Sequence, residues 1–176
     1  MEMNYCMHCG TRLQMREHEN EGGLVPWCET CGEYRYPVFN TAVSMIVMNR
    51  EHSRVILIRQ YGRPFNVLVA GYVNHGEDAE DAVAREVYEE IGMTVQDLHF
   101  NRSHYYAPSN TLMLNFTVTV SEDEAHPNWE VDSWRWYSIE EAKEAIKPGS
   151  LAEAFLKGYF SGHYELPQIP PSRNTL

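Results

Sequence analysis

A chain of 176 residues with 43% apolar and 22% charged residues has the composition of one folded domain of ordinary size plus something small, not of a disordered segment. Its 14 basic residues face 25 acidic ones, and the resulting formal charge of −11 opposes broad binding to a phosphate backbone, so a polyanionic ligand would need metal ions held locally. No apolar run approaches the roughly 18 residues of a membrane span, and no basic-then-apolar leader opens the chain, which predicts a cytoplasmic protein.

All four cysteines lie in residues 1–37, as Cys6-x-x-Cys9 and Cys28-x-x-Cys31, each pair followed by a glycine, Gly10 or Gly32. Four thiolates at this spacing fill a tetrahedral Zn²⁺ shell and leave no position for water, which points to a structural zinc ribbon rather than two disulfides or a redox pair. His8 and His18 read as ordinary polar residues beside so complete a set. A segment this short can hardly bury a core of its own, so metal binding is expected to supply its folding energy. It carries no dense Lys/Arg cluster, which argues against a nucleic-acid role.

Thr41 to Met48 and Arg54 to Arg59 are β-branched apolar runs around a polar turn and predict a hairpin. Asn66 to Ala70 predicts a further strand ending at Gly71, where a glycine permits close backbone approach. A helix is predicted next, with Asp78 at its N-cap, Asp81 as partner in a capping-box-like pair, and Gly92 as its stop. Ala79, Ala82, Val83 and Val87 make its apolar stripe, and Glu86, Glu89 and Glu90 fall within an arc of about 100° that overlaps this stripe. Crowding carboxylates in this way weakens a helix unless a cation offsets the repulsion, and Mg²⁺ or Mn²⁺ is the hard ion such oxygens suit. A plain solvated acidic face is the alternative reading.

Thr94 to Phe100 and Thr111 to Val120 predict two more strands. Ser138-x-x-Glu141 predicts a capped helix to Ile146, and Ser150-x-x-Glu153 a second, with Leu151, Ala154, Phe155 and Tyr159 on its apolar side. Gly162, Pro167, Pro170 and Pro171 argue against another packed element, although Tyr164 to Ile169 is a candidate strip for docking on a partner subunit. The domain expectation is 1–37 zinc ribbon, 38–162 main domain and 163–176 Pro-rich tail.

Gly71, Glu77, Arg85-Glu86-Val87, Glu89-Glu90 and Gly92-Met93 keep the spacing of one known motif at every defined position. The chain thereby resembles the Nudix hydrolases. The ribbon followed by Tyr36-Pro37, and the segment Ser103 to Met113, are similar to the NADH pyrophosphatase branch of that family. Ser103, Leu112 and Met113 agree with that branch's motif, while the prolines and aromatics between them are replaced or shifted.

The resemblance implies an α+β fold, an α/β/α sandwich with a mixed sheet behind the ribbon. It implies hydrolysis of the diphosphate of a nucleoside diphosphate linked to another group: NADH, NAD⁺ or a related dinucleotide, giving AMP and a second monophosphate. ADP-ribose, a dinucleoside polyphosphate, a coenzyme A compound or the NAD cap of an RNA are alternatives, as is a sensor that binds nucleotide without turnover. By resemblance the Mg²⁺ or Mn²⁺ ligands are Glu86, Glu90, the Ala70 carbonyl and Glu130, with Asp132 as fallback for the last. Glu89 is the general base or a bridging ligand, and Arg85 fixes the carboxylates with Glu77 as its partner. Tyr36, Tyr72, His104, Tyr106 and Ala152 would contact substrate in a homodimer, with nucleic acid excluded except as a capped RNA end.

Overall fold

The computed structural model of this chain describes residues 3–167. Two compact units meet between Phe39 and Asn40. In the smaller, β1 (Gln14–His18), β2 (Gly23–Cys28) and β3 (Glu33–Tyr34) form an antiparallel three-stranded sheet in that order. Arg16 lies over the Trp27 ring, which in turn meets Tyr34 edge-on at 4.8 Å. Among this unit's described residues only Cys6 and Cys28 are buried, so thiols occupy the place an apolar core would take.

The larger unit is a sandwich of helices on both faces of one sheet. Its strands are β4 (Asn40–Met48), β5 (Arg54–Gln60), β6 (Val69–Tyr72), β7 (Val95–Tyr106), β8 (Thr111–Val120) and β9 (Val131–Ser138). The order is β7-β8-β4-β5-β9, with β6 also pairing with β4. Only β4 and β8 run parallel, so the sheet is mixed. One edge of β4 is shared, since β6 takes Ala42 to Met45 while β5 takes Met48.

Strand β4 is buried from Ala42 to Met48 because both its faces are covered. Val43, Met45 and Val47 point to the cluster under α1 (Ala79–Ile91), whereas Ile46 and Met48 point to the cluster under α2 (Ile139–Ala145) and α3 (Leu151–Ser161). Period-two alternation thus sorts one strand into two cores. Among the described residues no helix is long and apolar enough to cross a membrane.

Several local expectations hold. Ser138 and Glu141 form a reciprocal capping box, and the Ser150 hydroxyl accepts the Glu153 N–H at 3.1 Å. Others are corrected. Asp78 does occupy the N-cap of α1, but its side chain makes no capping bond, so the pair with Asp81 does not form. Glu77 anchors that turn instead, its carboxylate accepting the Asn74 N–H at 2.8 Å.

Strand β6 begins at Val69 and runs through Gly71 to Tyr72, because Asn66 and Val67 make only single bridges, to Ile146 and Ile58. Strand β7 does not stop at Phe100 but pairs with β8 as far as Tyr106, with bulges absorbing its mismatches.

The described part of the tail packs on its own chain. Tyr164 and Leu166 join the cluster under α2 and α3, and the Tyr164 ring lies so close to Gly158 that a side chain there would collide with it. Arg102 of β7 stacks over the same ring at 5.2 Å. Tyr164 to Leu166 is therefore occupied within the chain, while Gln168 and Ile169 lie outside the described residues.

Candidate active site

Strand β6 brings Gly71 against helix α1, and the Glu86 carboxylate fills the space a β-carbon at position 71 would need. Only glycine permits this approach, which explains the pairing of a strand-end glycine with a glutamate 15 residues later in the motif. The loop between is tied by Arg85. Its Nε and Nη2 donate to the two oxygens of Glu77 at 2.7 and 2.9 Å, and Nη2 also donates to the Tyr72 carbonyl at 3.0 Å. Its Nη1 donates to Glu86 at 2.6 Å and to Glu89 at 3.0 Å.

One guanidinium therefore orders three carboxylates and a strand end, a task for which its planar fork is suited. The bond from Arg85, followed by the Asn74 amide, holds the Glu77 carboxyl down at about 2.

Glu90 behaves differently. It is 3% exposed, and its Oε2 has no hydrogen-bond partner. Burial, with the negative charges of Glu86 and Glu130, pushes its carboxyl up to about 8 against the lowering effects of the Gln60 side chain and the Ala70 main chain. Burial likewise raises Glu86, against the lowering effect of Arg85. A buried carboxylate oxygen without a partner, close to other carboxylates, suits a hard divalent cation.

Glu130 precedes β9 and interacts with Glu86 and Glu90. The fallback, Asp132, is turned to another task and accepts the Gly62 N–H at 2.6 Å.

Glu86 and Glu130 lie near enough to Glu90 for their charges to raise its carboxyl, while Glu89 sits at the rim, with 54% of its side chain exposed and Arg85 as its ion-pair partner. The three helix carboxylates are not equivalent as a shared helix face would suggest. Glu90 points inward, Glu86 is half-buried, and Glu89 points out. Arg85 bonds two of them, Glu86 and Glu89.

The candidate substrate residues divide by position. Strand register sets Tyr72 opposite Ala42, Ala42 opposite Met113 and Met113 opposite His104, so all share the sheet face that Met113 packs toward α3. Tyr106 follows His104 by two residues and faces the same way, and Ala152 packs on that cluster too. His104 is buried, and burial, aided by Arg102, keeps its imidazole below its ordinary value. Tyr72 is exposed; Tyr36 belongs to the smaller unit, where it is exposed.

Two neighbours of these carboxylates have no signal in the sequence: Gln60, whose side chain counters the rise at Glu90, and Tyr61, whose N–H donates to the Glu130 carbonyl at 3.3 Å. They reach the carboxylates through the pairing of β5 with β9, which local spacing does not encode.

In the smaller unit the sulfurs of Cys6, Cys9, Cys28 and Cys31 all lie within 4.8 Å of one another, a geometry that suits tetrahedral Zn²⁺ with bonds of about 2.3 Å. Among the described residues no other group of three or more ligand side chains is drawn so tight. Arg35 Nε donates to Cys6 Sγ at 3.2 Å, and the Cys31 N–H to Cys28 Sγ at 3.4 Å, the second layer of bonds thiolate ligands favour.

The sequence profile of the NUDIX domain matches residues 38–155. A Pseudomonas aeruginosa protein named NAD-capped RNA hydrolase NudC is 31% identical over 160 residues, which cover 89% of this chain and 55% of that one. The chain spans little more than half the length of such curated relatives.

Among solved structures, a NUDIX hydrolase from Nitrosomonas europaea superposes with a TM-score of 0.59 at 18% identity, covering 94% of this chain and 97% of the other. The NUDIX domain of Shewanella oneidensis NrtR, solved with ADP ribose, gives a TM-score of 0.57 at 14% identity over 72% of this chain and 88% of that one.

Proposed function

Because the chain belongs to the Nudix family, we propose that it is a pyrophosphohydrolase dependent on Mg²⁺ or Mn²⁺. It cleaves the diphosphate of a nucleoside diphosphate derivative, foremost NADH or NAD⁺, and releases AMP and a second monophosphate. The observation that carries this reading is the unpartnered, buried Oε2 of Glu90 beside Glu86, Glu130 and the Ala70 backbone. Glu86, Glu90, Glu130 and the Ala70 carbonyl would hold the cations, which when bound neutralise the diphosphate and activate water.

The chain's own residues do the rest. Arg85 keeps Glu86 and Glu89 oriented, and Glu89, exposed at the rim, takes the proton of the attacking water, a contribution typically of about 10²- to 10⁴-fold. Tyr72, an exposed ring on the face of His104 and Tyr106, would stack on a base or pyridine ring, with Ala152 as a further substrate contact. The four cysteines hold a structural Zn²⁺. The working form is a cytoplasmic homodimer.

A second reading, the NAD cap of an RNA as substrate, is favoured by the name of the Pseudomonas relative. The charge of −11 limits such a substrate to its capped end.

Incubation with Mn²⁺ and NADH, NAD⁺, ADP-ribose or NAD-capped RNA, with products resolved by chromatography, tests the proposal. AMP and a second monophosphate should appear with the first two, and Glu90→Gln should lose at least about 10²-fold in turnover while keeping its fold. Tight binding without cleavage by the metal-loaded chain would replace the enzyme reading with a sensor.

A further inference from the structure

Strand register sets Arg59 opposite Ser133 and Leu57 opposite Arg135, so the two arginines are diagonal neighbours on one face of the β5–β9 ladder, about 7–8 Å apart. Leu57 packs into the cluster under α2 and α3, whereas Ile56 and Ile58 pack into the cluster under α1. Alternation therefore puts both arginines on the sheet face turned away from α1 and its carboxylates. A cavity of about 270 Å³ opens there, lined by Leu57, Arg59, Asn66, Ser133, Arg135 and Tyr137.

Each guanidinium is held by a different device. Asn66, 7% exposed, donates its side-chain N–H to the Ala145 carbonyl at 2.9 Å, and its main-chain carbonyl accepts the Lys147 N–H at 2.9 Å. The amide oxygen so fixed accepts Nε–H of Arg59 at 3.0 Å. Among the described residues the two terminal nitrogens of Arg59 have no hydrogen-bond or ion-pair partner. Arg135 lies over the Tyr137 ring at 4.9 Å, and its ion pair with Glu141 spans 3.9 Å, beyond hydrogen-bond distance. The other oxygen of Glu141 is taken by Ser138.

Two like charges thus share one face and one cavity with their donors mostly unused, an arrangement that an anion between them would offset. Planar guanidinium forks suit the paired oxygens of a phosphoryl group. The cavity is smaller than the roughly 300–1,000 Å³ of sites that enclose a drug-sized ligand, so it accommodates the phosphoryl group and leaves any ester group outside.

We propose that Arg59 and Arg135 form an accessory oxyanion site that takes inorganic phosphate or the phosphoryl group of a phosphate monoester, on the sheet face opposite the acidic helix. The site stands apart from the hydrolase reading and needs no divalent metal, although the monophosphates that reaction would release belong to the class it binds.

Titration of the zinc-loaded chain, free of Mg²⁺ and Mn²⁺, with sodium phosphate and separately with AMP at constant ionic strength tests it. Nuclear magnetic resonance should show a saturable shift of the Arg59 Nε–H and of the Ser133 amide. Followed at Ser133, Arg59→Gln and Arg135→Gln should each weaken phosphate at least about tenfold with an unchanged unfolding midpoint. Arg135→Lys, which keeps the charge and loses the fork, should fall between the parent and Arg135→Gln. Glu90→Gln, at the other site, should leave the titration unchanged.

Equal affinity for phosphate and AMP would assign the site to the phosphoryl group alone, and tighter AMP would assign it to a nucleoside monophosphate; either upholds the proposal. A response that rises without saturating, one that persists undiminished in both glutamine variants, or an equal loss in Glu90→Gln would overturn it and leave the proposed hydrolysis standing.

Discussion

In the smaller unit the only buried side chains among the described residues are two cysteines, whereas the larger unit buries two apolar clusters and, at the rim of one of them, the carboxyl of Glu90. The two regions would use metal in opposite senses. Where thiols replace a core, an ion is part of the fold. Where the core is complete without it, a buried carboxylate with an unbonded oxygen is a cost the fold carries for the sake of the site. Removing metal from each should therefore have different consequences.

The largest effect is expected at the ribbon. Stripping Zn²⁺ with a strong chelator should melt the smaller unit, since structural zinc is typically worth about 10–16 kcal/mol, while the larger unit stays folded. Amide dispersion in nuclear magnetic resonance spectra checks this, and a ribbon that remains ordered without zinc would break the contrast. Next comes Phe155→Ala, which opens a void in the cluster under α2 and α3. It should cost about 3–5 kcal/mol in urea unfolding of the larger unit and leave zinc content unchanged.

The smallest effect sharpens the comparison through pH. The Glu90 carboxyl sits at about 8 in the folded chain against an ordinary 4.5, so the folded state binds this proton more tightly than the unfolded one. Metal-free stability is then full below pH 4.5 and declines as pH rises through about 8, by at most a few kcal/mol. Glu90→Gln should flatten that decline, and saturating Mn²⁺ should offset it; a flat profile in the parent chain would mean that Glu90 is not strained by burial.

What could be read from the sequence was local. The stops of α1 at Asp78 and Gly92, both Ser-x-x-Glu caps, the Arg85–Glu77 pair and the cysteine spacing depend on neighbours within a turn or a short loop, and the structure contains each of these features. The extension of β7 to Tyr106, the register of β6 and the bond from the Tyr61 N–H to Glu130 depend on which distant strand lies alongside, and no local pattern specifies that.

The choice between Glu130 and Asp132 belongs to the same class. Two carboxylates two residues apart look alike in sequence, and the Tyr61-Gly62 turn separates them by bonding the Glu130 main-chain carbonyl and the Asp132 side chain through successive amides.

The parallel ladder between β4 and β8 also governs how the molecule comes into being. Asn40 must wait for Thr111, and Met48 for Thr119, before that edge of β4 is closed. During synthesis the ribbon is complete well before then, while a naked apolar strand trails behind it, open to wrong partners. Truncation anywhere ahead of Val120 should therefore yield a chain prone to aggregate rather than a smaller working enzyme.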